Sequence, residues 1–304
     1  MIPVLTVTGK TLPEAWERSV VEVWENGTEI RTEYDQEGGL LSRDCTMVMC
    51  VLEPMTEPRL HRALPCRLED LEKYRQEVVD GVHDHWIKPE EGKWTYTYHQ
   101  RLFNYGSRLE HFSPFPGSGR LAYVDGNGDG QRVAPIEPMN QIDYICSKLV
   151  EAPHSRRAQA ITWIPFADPP TDDPPCLQRI WCRVTEDDEG TQLEMNTHWR
   201  SRDAYKAAFM NNWALTDLQR RIAERVGEGL GEPVAVGRYV DIVDSYHIYG
   251  SYFEEFERGF LKLLKERDYK DRVWTTEFAE PFFEMGREEL AREKEEEAAR
   301  ASSS

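Results

Sequence analysis

The chain has 304 residues, 39% of them hydrophobic, and a formal net charge of −18. This length is enough for one large core, and an excess of 55 acidic over 37 basic residues argues against broad binding to a nucleic-acid backbone. The sequence contains neither a long apolar run nor a basic-then-apolar leader, so we expect a cytoplasmic protein without a membrane span.

Periodicity predicts a helix close to the start of the chain. Thr11 is placed to cap this helix, Trp16 and Val20 recur at helical spacing, and Gly27 ends the apolar pattern. The short apolar run 47–52 follows and predicts a strand.

The rest of the chain alternates between helical and strand patterns. Helices are predicted at 68–82, 141–151, 204–226 and 252–265, and strands at 158–164, 177–184, 193–199 and 235–247. Long helices laid on a run of strands indicate an α+β fold with one large mixed β-sheet covered by helices. We find no repeat and no linker, so we predict one domain over 1–286 and a charged, disordered tail over 287–304.

Two features bear on metal binding. The segment 125–130, Asp-Gly-Asn-Gly-Asp-Gly, resembles half of a calcium loop, but Ile136 stands where the twelfth position requires glutamate. The six cysteines are scattered without a CxxC pair, and no Cys/His set has zinc spacing. We therefore interpret 125–130 as a turn-rich loop, predict no metal site and expect reduced thiols.

Cys176 is the candidate nucleophile. Pro174 and Pro175 fix an extended approach to a predicted strand, which places this thiol at a defined strand end. Neighbouring arginines would favour its thiolate, whereas the alternative is an inert buried cysteine. Cys182, inside the apolar strand, fits that alternative better.

Three further clusters carry polar side chains suited to a nucleotide. Arginine's planar fork suits phosphate, although a surface pair bridged to acids is the simpler reading of two adjacent arginines. A serine beside an arginine at a strand-to-helix turn can cap the helix and bind an anion. The clusters are Ser155-Arg156-Arg157, Arg200-Ser201-Arg202-Asp203 with Asn211 and Asn212 on the following helix, and His247-Ile248-Tyr249 on one strand.

In this order and spacing, the clusters resemble the hallmarks of the thymidylate synthase family. Those hallmarks are Ser-Arg-Arg before a strand, a Pro-Cys nucleophile, Arg-Ser-x-Asp, an asparagine on the next helix and a late His-x-Tyr. Here they correspond to Ser155-Arg156-Arg157, Pro175-Cys176, Arg200-Ser201-Arg202-Asp203, Asn211 and His247-Ile248-Tyr249. The resemblance is clear over 155–249 and weaker in the N-terminal half.

The resemblance implies a role for each matched residue. Cys176 attacks carbon 6 of a pyrimidine nucleotide, so that carbon 5 captures the methylene group of a reduced pterin. Further implied roles are phosphate binding by Arg200 and Ser201, phosphate binding across a two-fold dimer by Arg156 and Arg157, base reading by Asn211, sugar binding by His247 and Tyr249, and pterin contact by Asp203 and Trp163. The family's sheet face forms the dimer interface.

The N-terminal half adds weaker correspondences. Tyr98 resembles the family's active-site tyrosine, and Arg43 is a further phosphate-binding candidate, with Arg31 as the competing choice. The family also uses an early glutamate as acid/base. The register places Tyr74 at that position, and Glu77, one turn away on the same helix face, is our candidate.

Departures from the family pattern fall mostly around carbon 5 and the pterin. Leu177 replaces a histidine after the nucleophile, Trp199 replaces a glutamine, and one residue is added between Asp244 and His247. The tail also lacks the family's apolar closing end. The expected reaction is conversion of dUMP to dTMP by methylene-tetrahydrofolate or a methanopterin analogue. The alternatives are a hydroxymethylase acting on dUMP, dCMP or CMP, and a non-catalytic nucleotide-binding dimer.

Overall fold

The structure, a computed structural model, describes residues 1–35, 38–106, 123–124, 131–132, 138–165, 167–188 and 190–302. Within these ranges no helix combines the length and apolar character needed to cross a membrane. The calcium-like segment 125–130 and position 136 lie outside the described residues.

The strands fall into one large sheet and two small pairs. Their bounds are β1 Val4–Gly9, β2 Thr28–Ile30, β3 Ser42–Val51, β4 Leu60–His61, β5 Tyr123–Val124, β6 Gln131–Arg132, β7 Gln159–Ile161, β8 Leu177–Asp187, β9 Gly190–Trp199, β10 Arg202–Asp203, β11 Ala235–Ile248 and β12 Val273–Trp274. The helices are α1 Leu12–Asn26, α2 Leu68–Asp80, α3 Tyr98–Phe103, α4 Gln141–Glu151, α5 Ala208–Leu230, α6 Phe253–Phe256, α7 Lys262–Glu266 and α8 Thr276–Ser302.

The large sheet has eight strands in the order β1-β3-β11-β9-β8-β7, with β2 paired to β3 and β10 to β11. Strand β11 runs parallel to β9 and antiparallel to β3, whereas β8 is antiparallel to both of its neighbours. The predicted α+β class with one large mixed sheet is therefore confirmed. The start of β8 and the ends of β9 and β11 lie side by side at one corner of the sheet, and the candidate site residues lie there.

Helix α1 fixes the segment that leads into α5. Its buried Trp16 meets Phe209 and Phe260 edge to face, with ring centroids 5.3 and 5.4 Å away. The indole nitrogen of Trp16 donates to the carbonyl of Ala204 at 2.9 Å. Because aromatic packing and a buried hydrogen bond act together, the turn after β10 is held against α1.

Helix α5 begins four residues later than the sequence predicts, at Ala208. The carboxylate of Asp203 accepts the backbone N–H groups of Tyr205 at 2.9 Å and Lys206 at 2.7 Å, and so forms a separate turn before the helix. Ser201 lies too far upstream to cap a helix that starts at Ala208. The anion site expected at that helix start is instead a turn organised by Asp203.

The charged C-terminal segment is helical where the sequence predicted disorder. Helix α8 continues to Ser302 along α2, with Lys73 paired to Glu289 and the Trp86 indole donating to Glu297 at 2.8 Å. The ion pair and the hydrogen bond from the Trp86 indole hold α8 in place, although the composition of this helix alone is typical of a disordered tail. Only residues 303–304 of the predicted tail lie outside the described residues.

A buried ion pair attaches α3 to the loop between β7 and β8. Arg101 and Asp168 are each about 1% exposed, and their closest contact is 2.6 Å. Asp168 also accepts the backbone N–H of Ile164 at 2.6 Å, while Arg101 donates to the Thr162 carbonyl at 3.2 Å. This network sets the position of Tyr98, the first residue of α3.

Replacing Asp168 with alanine is expected to lower the free energy of unfolding by about 3–5 kcal/mol, because Arg101 would stay buried without its counter-charge. Denaturant unfolding measures the change. Asp143→Ala is the control, since its pair with Arg225 is solvent-exposed and such pairs contribute about 1 kcal/mol or less. Equal losses in the two variants would contradict this interpretation.

Candidate active site

Cys176 lies immediately before β8 and is half-buried. Its carbonyl accepts the backbone N–H of Arg200 at 2.9 Å, which joins the start of β8 to the residue after β9. Burial raises the pKa of the Cys176 thiol, Arg200 lowers it, Asp173 raises it and Arg202 lowers it, with a net rise. The thiol is thus protonated at neutral pH, and the arginines act toward its activation.

Arg200 is held over the two prolines that precede the thiol. Its guanidinium donates to the carbonyl of Pro175 at 3.1 Å and to that of Pro174 at 2.6 Å. The side chain remains about 34% exposed, so part of its planar fork faces solvent. This geometry brings a cation and the candidate nucleophile together where β8 begins and β9 ends, and their functional roles stay predictions.

The expected pH dependence follows from these charges. Replacing Arg200 with glutamine removes the main influence that lowers the pKa of Cys176, so the midpoint of thiol alkylation should move to higher pH. Iodoacetamide labelling of Cys176, quantified by peptide mass spectrometry from pH 6 to 10, measures it. Arg43→Gln is the control and should not move the midpoint. A downward shift in the Arg200 variant would contradict the assignment.

Tyr98 lies at the same corner of the sheet, beside the start of β8. Its hydroxyl accepts the backbone N–H of Leu177 at 3.4 Å, and its ring meets Trp199 edge to face at 5.8 Å. Burial and the nearby Cys176 raise the pKa of Tyr98, which keeps the phenol protonated. Tyr98 therefore lies beside the thiol as a neutral hydrogen-bonding group.

Asn211 reaches the site from α5, and Tyr74 reaches it from α2. The Asn211 amide nitrogen donates to the Tyr74 oxygen at 2.5 Å. Asn212, which is fully buried, points instead toward Tyr239, whose hydroxyl donates to its amide oxygen at 3.2 Å. Of the two adjacent asparagines, Asn211 is the one that contacts the tyrosine of the site.

Glu77 does not make this contact. Its carboxylate lies 2.9 Å from Nδ1 of His83, whose ring stacks on Trp86 with centroids 3.9 Å apart. Glu77 is one turn beyond Tyr74 and close enough to raise the pKa of that phenol after the larger effects of burial and Tyr98. The acid/base role of Glu77 stays a prediction, and Tyr74 is the residue of this helix in contact with Asn211.

Sequence reasoning missed the buried cation beneath these residues. Arg202 is about 1% exposed, is paired with Asp241 of β11 and lies 3.9 Å from the ring centroid of Trp199. Asp241 also accepts from Thr197 at 2.6 Å. The sequence did contain one signal for a buried cation. Asp241 lies between Val240 and Ile242 in an apolar strand, and a buried carboxylate requires a buried partner.

His247 and Tyr249 lie together at the end of β11, with ring centroids 4.5 Å apart. Nδ1 of His247 lies 3.3 Å from the Ser245 hydroxyl, which donates to Asp44 at 2.6 Å. Nε2 of His247 is buried, and no partner for it lies among the described residues. A buried ring nitrogen without a partner suits a ligand hydroxyl.

Asp203 and the neighbouring tyrosines line the outer side of this corner. The Tyr252 hydroxyl donates to Asp203, and the Tyr249 ring lies 5.9 Å from the Tyr252 ring and 6.1 Å from the Tyr34 ring. Tyr34, in the loop after β2, was missed by the sequence reasoning. Burial first, and then Asp173 and Glu33, raise the pKa of Tyr34, whereas Arg200 lowers it.

Several predicted residues are not brought to this corner by direct contacts. Arg43 donates to the Trp24 carbonyl, and its guanidinium carbon lies 4.3 Å from the centroid of the Trp24 ring, so its guanidinium packs against α1. Arg31 is exposed at the start of the loop that carries Tyr34, and Ser201 and Trp163 are half-buried. The binding roles of these four residues stay predictions.

Arg156 and Arg157 lie at the other end of β8. The carbonyl of Ala158 accepts the N–H of Cys182 at 2.9 Å, six residues along the strand from Cys176. At the rise of an extended strand this is about 20 Å, beyond the reach of an arginine side chain. Both arginines are exposed, so in one chain they form a separate cationic surface.

Metal binding was not expected from the sequence. Across the described ranges no group of three or more His, Cys, Asp or Glu side chains could hold a metal ion. The polar groups of the candidate site are instead hydrogen-bonding side chains and arginines.

The fold is shared with a known enzyme. The structure titled thermostable thymidylate synthase A from Bacillus subtilis aligns with a TM-score of 0.53 over 83% of this chain and 84% of that one, at 16% identity. At this identity the likeness shows the α+β fold alone.

Sequence comparisons identify the family. Relatives named "Putative thymidylate synthase" include a Methanosarcina mazei protein, 26% identical over 80% of this chain and 88% of its own length. Another from Methanocaldococcus jannaschii is 26% identical over 86% of this chain and 98% of its own. The family model described as thymidylate synthase matches residues 68–286. The chain therefore belongs to the thymidylate synthase family.

Proposed function

We propose that this protein transfers a one-carbon unit from a reduced methylene-pterin to carbon 5 of dUMP and forms dTMP. The observation that carries the proposal is the convergence of Cys176, Arg200, Tyr98 and Asn211 at one corner of the sheet. A thiol, a cation, a phenol and an amide are the groups required to attack, anchor and read a pyrimidine nucleotide. Family membership supports the same reaction class.

Cys176 would act as the nucleophile. Loss of its proton gives a thiolate whose electron pair forms a bond to carbon 6, and the carbon 5–carbon 6 double bond shifts its electrons toward carbon 5 and the carbonyl at carbon 4. Arg200 and Ser201 would hold the phosphate, which binds the substrate at a point remote from the reacting carbon. Carbon 5 would then bond to the methylene carbon of the pterin. Loss of the carbon 5 proton to a base would break the methylene–nitrogen bond to the pterin, and hydride transfer to the resulting exocyclic methylene would expel the thiolate and return the free enzyme.

The sugar and base would be held by buried polar groups. Nε2 of His247, which has no partner among the described residues, suits a hydroxyl of the sugar, and Tyr249 lies beside it. Asn211 would read the pyrimidine edge with Tyr74 next to it. These contacts orient carbon 6 toward Cys176, as productive attack requires.

The residues around Asp203 fit a flat pterin ring. Its carboxylate retains lone pairs beyond those used by two backbone N–H groups and Tyr252, and the nearby Tyr249 ring lies 6.1 Å from the Tyr34 ring and 5.9 Å from the Tyr252 ring. Asp203 would accept from the pterin, while Trp163 stays a candidate for packing against it. When bound, the pterin supplies the methylene carbon and, for dTMP formation, the reducing hydride.

The proposal includes a two-fold homodimer that shares arginines between its subunits. Arg156 and Arg157 are exposed and about 20 Å along the strand from their own Cys176, so they would bind the phosphate held by the partner subunit. The open face of the large sheet would form the interface. Nucleic acid and metal play no part in the proposed reaction.

One observation favours hydroxymethylation as a second candidate. Tyr74, and not a carboxylate, contacts Asn211. A phenol in place of a carboxylate beside Asn211 would change the surroundings of the exocyclic methylene and favour attack by water. The product would then be a 5-hydroxymethyl nucleotide of dUMP, dCMP or CMP.

The test is incubation of the purified protein with dUMP and methylene-tetrahydrofolate, with products identified by mass spectrometry. Methylated nucleotide formed together with dihydrofolate supports the first candidate. Hydroxymethylated nucleotide with tetrahydrofolate supports the second. Absence of product and of tritium release from carbon 5, with either folate or methanopterin donors and with all three nucleotides, would refute both.

A further inference from the structure

Arg202 lies beneath the proposed pocket with its guanidinium almost fully buried. Asp241 balances its charge and Trp199 packs against its plane. Two of its remaining donors point at neighbouring amides of α5. Nε donates to Oδ1 of Asn211 at 3.3 Å, and a terminal nitrogen donates to Oδ1 of Asn212 at 2.7 Å.

These contacts fix the orientation of the Asn211 amide. A carboxamide can turn either its oxygen or its NH2 group toward a ligand, and the two choices recognise opposite partners. Because Arg202 has only donors, a flipped Asn211 would place N–H groups against each other. The amide nitrogen therefore faces Tyr74, to whose oxygen it donates at 2.5 Å.

Tyr74 is a second hydrogen-bond donor toward the pocket. Burial raises the pKa of Tyr74 well above its usual value, with contributions from Tyr98 and Glu77, so the hydroxyl is protonated. Its oxygen receives a hydrogen from Asn211, and no acceptor for its own hydrogen lies within hydrogen-bond distance among the described residues. Asn211 and Tyr74 thus present hydrogens to whatever binds beside them.

We propose that Arg202 is a positioning residue that, by holding Oδ1 of Asn211, fixes a donor-only edge formed by the Asn211 amide nitrogen and the Tyr74 hydroxyl. The identity of the ligand rests on the proposed function. A pyrimidine with a carbonyl oxygen at carbon 4 offers this edge an acceptor. An amino group at carbon 4 offers another donor, which leaves buried hydrogens without partners.

The test uses Arg202→Lys, which keeps a cation beside Asp241 but removes the planar fork that reaches both amides. Calorimetry gives the dissociation constants of dUMP and dCMP for wild type and variant. Wild type is expected to prefer dUMP, and R202K to lose that preference by about tenfold or more. Arg59→Lys is the matched control, because Arg59 is also buried against α5 but packs on Trp213 and bonds to Thr216 instead of Asn211, and it should leave the ratio unchanged.

Equal weakening of dUMP and dCMP binding in R202K would overturn the proposal, since it would show a structural role alone. If R202K does not fold, the double variant Arg202→Met with Asp241→Asn replaces it, because it removes both buried charges together. The same ratio of dissociation constants is then compared, and an unchanged preference for dUMP would again overturn the proposal.

A second measurement does not depend on nucleotide binding. The side-chain amide signals of Asn211, recorded by NMR in the free protein, should shift and exchange faster with solvent in R202K but not in R59K. Unchanged Asn211 signals in R202K would refute the positioning role. Failure of the wild-type protein to bind either nucleotide would instead count against the proposed function, so the two failures are distinguishable.

Discussion

Replacing Cys176 with alanine is expected to abolish turnover, with a loss of about 10⁴-fold or more, while dUMP still binds. The reason is that the proposed reaction begins with a covalent bond from this thiol to carbon 6. Release of tritium from carbon 5 of labelled dUMP measures the chemical step, and calorimetry measures binding. A variant with unchanged tritium release would exclude Cys176 as the nucleophile.

Cys182→Ala is the matched control for this variant. Cys182 lies inside β8, the strand that follows Cys176, with no exposed surface, and burial raises the pKa of its thiol. Its removal should leave a small cavity and lower the melting temperature, but turnover should stay close to wild type. Loss of activity in both variants with similar loss of stability would point to disruption of β8 and not to lost nucleophilicity.

Mixing two inactive variants is expected to restore activity if the proposed dimer shares its arginines. Cys176→Ala supplies intact Arg156 and Arg157, and the Arg156→Ala/Arg157→Ala double variant supplies the intact thiol. After subunit exchange, half of the dimers are mixed and one of their two sites is complete, so about a quarter of wild-type activity should return. Steady-state dTMP formation after co-refolding measures the recovery.

The control mixes Cys176→Ala with Arg200→Ala. Arg200 donates to the carbonyls of Pro174 and Pro175 in its own chain, so it belongs to the same site as its own Cys176. Neither site of a mixed dimer would then be complete, and no recovery is expected. Recovery with both pairs, or with neither, would contradict sharing of Arg156 and Arg157 across the interface.

Local patterns in the sequence were sufficient for most of the fold. Helix α4 has the bounds that its periodicity predicts, 141–151, and the strand that follows Cys176 begins where the prolines place it. Propensity and periodicity act over a few residues and can be read directly. The predicted helix 252–265 is divided in the structure into α6, a π-helical turn at Glu257–Leu261 and α7. The sequence did not predict this division, because neither a proline nor a pair of glycines marks it.

The interior of the site depended on contacts between distant parts of the chain. Arg202 and Asp241 are 39 residues apart in the sequence, and their side chains meet because β10 lies beside β11, although the register sets Arg202 opposite Tyr246. Tyr74 and Asn211 come together only because α2 packs on α5. Spacing within one segment cannot show which distant residues will pair. The sequence therefore supplied a candidate nucleophile and phosphate-binding candidates, but not the buried cation Arg202 or the contact of Tyr74 with Asn211.

The order of strands in the sheet has a consequence for how the protein folds during synthesis. Strand β11 occupies the middle of the sheet between β3 and β9, yet it is the last long strand to leave the ribosome. Until residue 248 emerges, β3 and β9 each present an unpaired edge, and these edges are prone to wrong pairing. Nascent chains that stop before β11 should therefore be held by chaperones, and assembly of the sheet should await nearly the whole chain.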